Sequence, residues 1–418
     1  MRLDPENVTH VRLHSSVIVT RYSATISGEK TCLLSRVGPF VTLLVEQTLT
    51  MTEDQTWDKL RHGFLTFNSM PPRVHVLSDD TEFDRVFLKH LRQEGFDVNY
   101  LPFTGDVKCF KWTIQHLADD LELGQSYAII AFGEAATHLL SIAQKPLPHC
   151  IALIVYYPTA LPSANHKYPV HLSLLCHLAS NQPFGASSFK SYVYPDTYPG
   201  FAERDLEEYD RVAAGLSWGR TIGCLRKGFG VEVDLEGVVE EYSRCEFEDK
   251  DARGTMSMLS QVPYVNHVPT ATGGIGRDDL DRFYRQVFLP GNPPSLKVRL
   301  LSRTIGVDKV VDEMMVSFRH TQVISWILPG VPPTNRSVQI PVVSIVSIRG
   351  GKLWHEQLYW DQASVLVQIG LLDPKLVPGD MKKQGLERLP VIGKEAAEKV
   401  LDEGSHPSNE LISSWAED

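Results

Sequence analysis

The chain has 418 residues, 43% apolar and 22% charged, enough for two packed domains or three. Its formal net charge of −10 argues against a surface that tracks phosphates, so no nucleic-acid partner is expected. No apolar run is long enough for a membrane span, and the opening MRLDPENVTH lacks a basic-then-apolar leader pattern; the expectation is a cytoplasmic protein without membrane contact.

The first stretch is rich in β-branched residues. VRLHSSVIVTRYSATI and TCLLSRVGPFVTLLVEQTLTM, separated by the turn residues Ser-Gly-Glu-Lys, predict antiparallel strands. The pattern then alternates. RVHVLSDD reads as a strand and TEFDRVFLKHLRQEGF as a helix, with Phe83, Phe87, Leu88 and Leu91 at helical spacing. Strands at 97–101, SYAIIAFG and CIALIVYYP, with helices CFKWTIQHLADDL and EAATHLLSIAQ between them, predict a parallel sheet with helices on its faces. YDRVAAGLSWGRTIGCLRKGF closes this block as a helix.

A second domain starts near Asp234. DLEGVVEEYSRCEF, DKDARGTMSMLSQV and DDLDRFYRQVFL predict three helices. SLKVRLLSRTI, DKVVDEMMVSFRHTQVISWILP, SVQIPVVSIVSIRG and KLWHEQLYWD predict long strands, an α+β order. The Lys/Glu/Pro/Gly-rich tail after Pro374 predicts a surface-hugging extension. The domain division is therefore 1–230 (with a β extension over 1–70), 234–373 and 374–418.

The six cysteines, at 32, 109, 150, 176, 224 and 245, form no CxxC pair, and neither a zinc site nor a disulfide framework is indicated. No GxGxxG turn or metal-ligand cluster stands out, so no cofactor and no metal are expected. Gly273-Gly274-Ile275-Gly276 precedes a helix but lacks the Lys-Ser/Thr of a phosphate cradle.

Ser126 to Ala136 is a strand, a sharp turn of small residues and a helix, which is the pattern of a nucleophile elbow. This stretch and Tyr194-Pro195-Asp196-Thr197-Tyr198-Pro199-Gly200-Phe201-Ala202 resemble the dienelactone hydrolase branch of the α/β-hydrolases over about residues 70–230. The resemblance implies a nucleophile at Gly133, a general base at Pro199 and an acid near Asn181. Gly133 and Pro199 cannot serve, and Asn181 matches only loosely, so the expectation is a degenerate hydrolase-like scaffold. An alternative keeps activity through Glu134.

Three later stretches carry unusual chemistry: Tyr264 to Gly274 with Asn266-His267, Val311 to His320, and Trp354 to Gly370 with Trp360-Asp361. They resemble the SnoaL-like members of the NTF2-like superfamily over about Asp234 to Asp373. The pairing of the two halves is similar to a group of fungal and bacterial two-domain proteins, natural-product cyclases among them. The resemblance implies an α/β-hydrolase-like parallel-sheet domain followed by an α+β cone around a cavity. It also implies proton transfer without metal or organic cofactor, a small apolar organic substrate, and a homodimer through the outer sheet face.

Asp361 falls at the catalytic Asp of polyketide cyclases, with His267 as its partner. Glu356 and Glu313 complete the expected catalytic set, and Tyr264, Phe318, His320, Trp326, Tyr359 and Trp360 the expected cavity wall. Strand alternation puts Glu356, Leu358 and Trp360 on one face and His355, Gln357, Tyr359 and Asp361 on the other, so both carboxylates reach one cavity only if the strand bulges or ends near Tyr359. It likewise groups Asp312, Met314, Val316, Phe318 and His320 against Glu313, Met315, Ser317 and Arg319. Bland readings stand beside these: Asp361 as a helix cap, His267 as a core residue, Glu313 paired with Arg319 or Arg299. The function expected is a cofactor-independent cyclase or isomerase of natural-product biosynthesis, a pericyclic (Diels–Alder type) cyclisation included. The rivals are a hydrolase or dehydratase, and a non-catalytic binding or assembly protein.

Overall fold

The computed structural model describes residues 70–412 and Trp415, except 123, 164, 166 and 183–188; before residue 70 it describes the backbone of four strands. The chain divides into two compact units, 1–64 and 65–418. The first carries an antiparallel meander of β1 (Val8–Arg12), β2 (Ile18–Ile26), β3 (Lys30–Val37) and β4 (Phe40–Leu44), in that order. The expected turn at 27–29 and the end of the second stretch, 45–51, lie outside the described residues.

The second unit contains two sheets. The first runs through β5 (Arg73–Ser78), α1 (Arg85–Gln93), β6 (Asp97–Pro102), α2 (Val107–Gln115), β7 (Tyr127–Phe132), α3 (Gly133–Ile142), β8 (Cys150–Tyr156), β9 (Ser173–Ala179), β10 (Lys190–Tyr194) and α4 (Arg211–Phe229). All its strand pairs are parallel, in the order β10-β9-β8-β7-β5-β6. Every residue of β7 is buried, as expected of a central strand covered on both faces. The outer strands β9 and β10 were not among the sequence expectations.

The second sheet follows α5 (Leu235–Ser243), α6 (Ala252–Met258), β11 (Leu259–His267), β12 (Thr272–Ile275), α7 (Arg277–Phe283), a last helical turn α8 (Leu289–Gly291), β13 (Lys297–Ile305), β14 (Lys309–Arg319), β15 (Ser337–Arg349) and β16 (Lys352–Trp360). Its order is β12-β11-β16-β15-β14-β13, antiparallel except for β11 beside β16. Alternate residues of β14 and β15 (Val310, Val316, Phe318, Ile340, Val342) join Leu235, Val239 and Leu280 in one apolar core. The second of the three expected helices ends early: after Met258 the chain turns straight into β11.

The strand expected over 308–329 also ends early, at Arg319. Residues 320–336 form a loop closed at its neck, where His320 N donates to Arg336 O (2.8 Å) and Asn335 N to His320 O (2.9 Å). The loop carries Trp326 into the core. Its indole donates to Asn292 Oδ1 (2.7 Å), its carbonyl accepts from Thr270 Oγ1 (2.8 Å), and Gln362 Nε2 donates to Ile327 O (2.8 Å).

The two sheets are joined by polar contacts. Arg226 on α4 pairs with Glu94 after α1 (2.7 Å), and Gly350 N, in the β15–β16 turn, donates to Glu94 Oε1 (3.3 Å). Gly350 has φ +58°, and a Cβ there would lie 2.5 Å from Gln93 O, so only glycine allows this approach. After α9 (Gln362–Gln368), the tail contains α10 (Gly379–Lys383) and α11 (Glu395–Leu401), and α11 lies against β15. Among the described residues no helix is long and apolar enough to cross a membrane.

Candidate active site

α5 starts at Asp234, whose carboxylate accepts from Gly237 N (2.8 Å), and buries Leu235, Val239 and Tyr242 on one stripe. It then widens into a π-turn over Arg244–Glu248, marked by an i→i+5 bond from Asp249 N to Arg244 O (2.9 Å). The turn buries Glu246. A second π-turn, Tyr284–Phe288, follows α7 and buries Tyr284. β16 delivers Glu356 to the same interior, on the face it shares with Leu358 and Trp360.

These groups meet. The Tyr242 and Tyr284 hydroxyls lie 2.6 Å apart. Tyr242 donates to Glu356 Oε2 (2.7 Å), and Ser344 Oγ donates to Glu356 Oε1 (3.2 Å). Burial pushes Glu356 up to about 7, against the pull of the Tyr242 and Ser344 hydrogen bonds and with Asp312 adding repulsion. Burial holds Glu246 well above the carboxylate range, and the charge of Glu356 raises it further; hydrogen bonding by the two phenols opposes this. Both phenols are pushed well above 10, burial first, and stay protonated. The charge of Glu356 disfavours that of Glu246, so Glu246 keeps its proton through neutrality while Glu356 titrates.

His267 is buried beside this group. Its Nδ1 meets Thr272 Oγ1 (2.9 Å), and the rings of Phe283, Phe288, Trp326 and Trp360 surround it at 5.2–6.2 Å. Burial lowers its pKa to about 3, so it is neutral. Phe318 and His320 are buried too, and His320 Nδ1 contacts Thr334 Oγ1 (3.1 Å).

Four expected site residues do not face the interior. Asp361 is exposed and caps α9, accepting from Ala363 N (2.9 Å); β16 ends at Trp360, and no bulge near Tyr359 turns the carboxylate inward. Glu313 lies on the other face of β14 and accepts from Ser302 Oγ (2.9 Å), whereas the inward carboxylate, Asp312, is paired with Arg303 (2.7 Å). Tyr264 and Tyr359 alternate with the buried Val265, Leu358 and Trp360 and so point outward. Sequence reasoning missed Glu246, Tyr242, Tyr284 and Ser344. Glu246 did carry a signal: it falls eleven residues after Leu235 on the stripe of Val239 and Tyr242, a charge where an apolar residue belongs.

In the parallel-sheet half, Gly133 opens α3 at φ +57°, the left-handed corner expected of an elbow. A Cβ there would lie 2.7 Å from Asp79 Oδ1. Glu134 points to solvent near His138 (3.5 Å), and Pro199 and Asn181 are exposed. Glu203 is buried, accepts from the Tyr157 hydroxyl and is raised to about 7 by burial.

A SnoaL-like domain model matches residues 239–356, from within α5 to Glu356 itself. The chain therefore carries a SnoaL-like domain; the match includes none of the parallel-sheet half. Solved structures similar to the chain include TsrD from Streptomyces laurentii (18% identity, 33% of this chain and 96% of that one, TM-score 0.28). An NTF2-like protein of unknown function from Burkholderia pseudomallei is similar at 16% identity, over 33% of this chain and 98% of its own (TM-score 0.27). SalBIII, described as an epoxide hydrolase/cyclase-like enzyme with a role in pyran ring formation in the polyether salinomycin, is similar at 13% identity, over 30% and 89% (TM-score 0.24). Among curated proteins none matches.

Proposed function

We propose that the chain is a proton-transfer enzyme of the cyclase or isomerase kind, working through the Glu246–Glu356 pair. The observation that carries this reading is the coupling of two buried carboxyls through one phenol, with Glu356 raised to about 7. Above its midpoint Glu356 is a carboxylate and can take a proton from a carbon next to a carbonyl. Glu246, held protonated, and the Tyr284 phenol can donate hydrogen bonds to the enolate oxygen that forms. The enolate carbon then adds to a second carbonyl of the same molecule, whose C=O π bond opens and whose oxygen takes the proton back from Glu356, or the enolate regains that proton at another carbon. This chemistry is complete with the protein's own groups, and a small, largely apolar carbonyl compound is its substrate class. In this reading the parallel-sheet half is a hydrolase-derived scaffold whose corner residue, Gly133, has no side chain to attack with.

The test is exchange of α-protons with D2O, followed by NMR over a panel of conjugated ketones and β-keto esters. Exchange by the wild type should fall by about two to four orders of magnitude in Glu356→Gln. Equal exchange by both proteins would overturn the reading. A pericyclic cyclisation, which needs the walls more than a base, would lose little in Glu356→Gln and more in Trp360→Ala.

A second reading, a non-catalytic binding domain, is favoured by the four rings that fill the space around His267. The carboxyl pair would then be a buried polar network, and Glu356→Gln would alter stability alone.

A further inference from the structure

Away from the carboxyl pair, a cleft of about 350 Å3 lies between the two sheets of the 65–418 unit. One wall is α1, the start of α4 and the segment before it; the other is the outward face of β11, β15 and β16. Four cations line it, Arg204, Arg211, Lys309 and Arg349, against one carboxylate, Asp84. Asp84 is already engaged: Oδ1 accepts from Val86 N (2.7 Å) and Phe87 N (3.2 Å), and Oδ2 from Arg204 N (2.9 Å).

Arg349 is only 7% exposed. Its guanidinium stacks on Trp354 (3.5 Å to the ring centroid) and Trp218 (4.6 Å) and donates to His90 Nδ1 (2.7 Å). That partner is neutral, since burial and then the Arg349 charge lower His90 to about 3. Glu94 attracts Arg349, but its oxygens already serve Arg226 and Gly350 N. Among the described residues no carboxylate lies within ion-pair distance of Arg204, Arg211 or Arg349. Burial lowers Arg349 to about 10, and the charge of Arg204 adds to that. The same charges converge on His355, which burial and then Arg211, Arg349, Arg204 and Lys309 hold at about 3.

Lys309 pairs with Asp308 (3.8 Å), but Arg349 is a buried cation without an ion-pair partner, with the exposed Arg204 and Arg211 beside it, and an anion entering there would offset the cost of its burial. The neighbouring wall is flat and aromatic: His355 stacks on Trp354 (3.6 Å), and Tyr264 stands edge-on to His355 (5.6 Å) with Arg211 over its ring (5.8 Å). A volume near the lower end of ligand pockets suits a compact molecule.

We propose that this cleft is a binding site for a small conjugated organic anion, its carboxylate or phosphate met by Arg204, Arg211 and Arg349 and its flat part lying along Trp354, His355 and Tyr264. The proposal does not depend on the chemistry of the carboxyl pair, because binding is measured directly.

The experiment is calorimetric titration of the full chain with 2-naphthoate, 2-naphthyl phosphate and the uncharged 2-naphthalenemethanol. Arg204→Gln and Arg211→Gln are the test variants; both residues are exposed, and a thermal melt of each variant checks that the fold is kept. Arg253→Gln, on α6, is the control. At least one anion should bind about tenfold tighter than the alcohol, and each rim variant should weaken it about tenfold while the control leaves it unchanged. Whichever anion binds more tightly identifies the head group. The proposal is overturned if the anions do not bind, if the alcohol binds as tightly, or if the rim variants match the control.

Discussion

The hydroxyls of Tyr242 and Tyr284 lie 2.6 Å apart although 42 residues separate them in sequence, and Tyr242 passes the contact on to Glu356. Removing the Tyr242 hydroxyl takes away a bond that favours the charged form of Glu356. Tyr242→Phe should therefore raise the Glu356 midpoint above its value of about 7. Infrared difference spectra of the carboxyl stretch against pH, assigned with Glu356→Gln, read this directly. A lowered midpoint would contradict the hydrogen bond's direction.

Stability should fall on both sides of a maximum near pH 6–7. Glu356 is raised from 4.5 to about 7, so its contribution is full below pH 4.5 and is lost as pH rises through 7. His177, His267 and His355 are lowered from 6.5 to about 3, burial first in each case; their contribution is present above 6.5 and is lost as pH falls. Glu356→Gln should flatten the alkaline limb by on the order of 3 kcal/mol and leave the acid limb in place. Urea unfolding at several pH values measures both limbs, and an unchanged alkaline limb would count against the raised carboxyl.

Asp361→Ala should cost about 1 kcal/mol through loss of the cap on α9. Any activity that depends on Glu356 should survive it. Thermal melts and the exchange assay separate the two effects, and a hundredfold loss of turnover would return Asp361 to the chemistry.

Gly133→Ser should not create a hydrolase. The new side chain meets Asp79 at a left-handed corner, costing about 1–3 kcal/mol, and Pro199 supplies no base. Fluorophosphonate labelling mapped to position 133 would show that the corner is still competent.

The sequence-level order of elements was legible where patterns were long. Alternation along β16 correctly separated Glu356, Leu358 and Trp360 from His355, Gln357 and Tyr359. It failed past Arg319 because the apolar run that holds Ile324, Trp326, Ile327 and Leu328 reads like a strand yet is buried as a loop, and periodicity alone does not distinguish the two. The parallel sheet was legible from its alternation with helices, but β9 reads as a plain apolar run without a flanking helix. Of the interior residues, His267 and Glu356 stood in quotable motifs. Tyr242, Glu246 and Tyr284 did not, since their meeting depends on two π-turns that no short motif announces. Part of the outward face expected for pairing with a second copy is occupied within one chain, where Arg349 and Tyr264 meet His90 and Arg211.

A π-turn holds one residue more than the α-turn it replaces, so the helix around Glu246 is sensitive to length as well as to residue type. Deleting a single residue at Cys245 would let the wide turn close to an ordinary α-turn with the helix on either side still in register, whereas a one-residue insertion or deletion within α5, where no wide turn absorbs it, would rotate everything on one side by about 100°. Glu246 would then swing off the inner stripe, or the α5 stripe of Leu235, Val239 and Tyr242 would turn away from the sheet. In this segment the spacing between residues is itself the inherited information: conservative substitutions would be tolerated along the helix, whereas a one-residue change of length in α5 outside the wide turn would not.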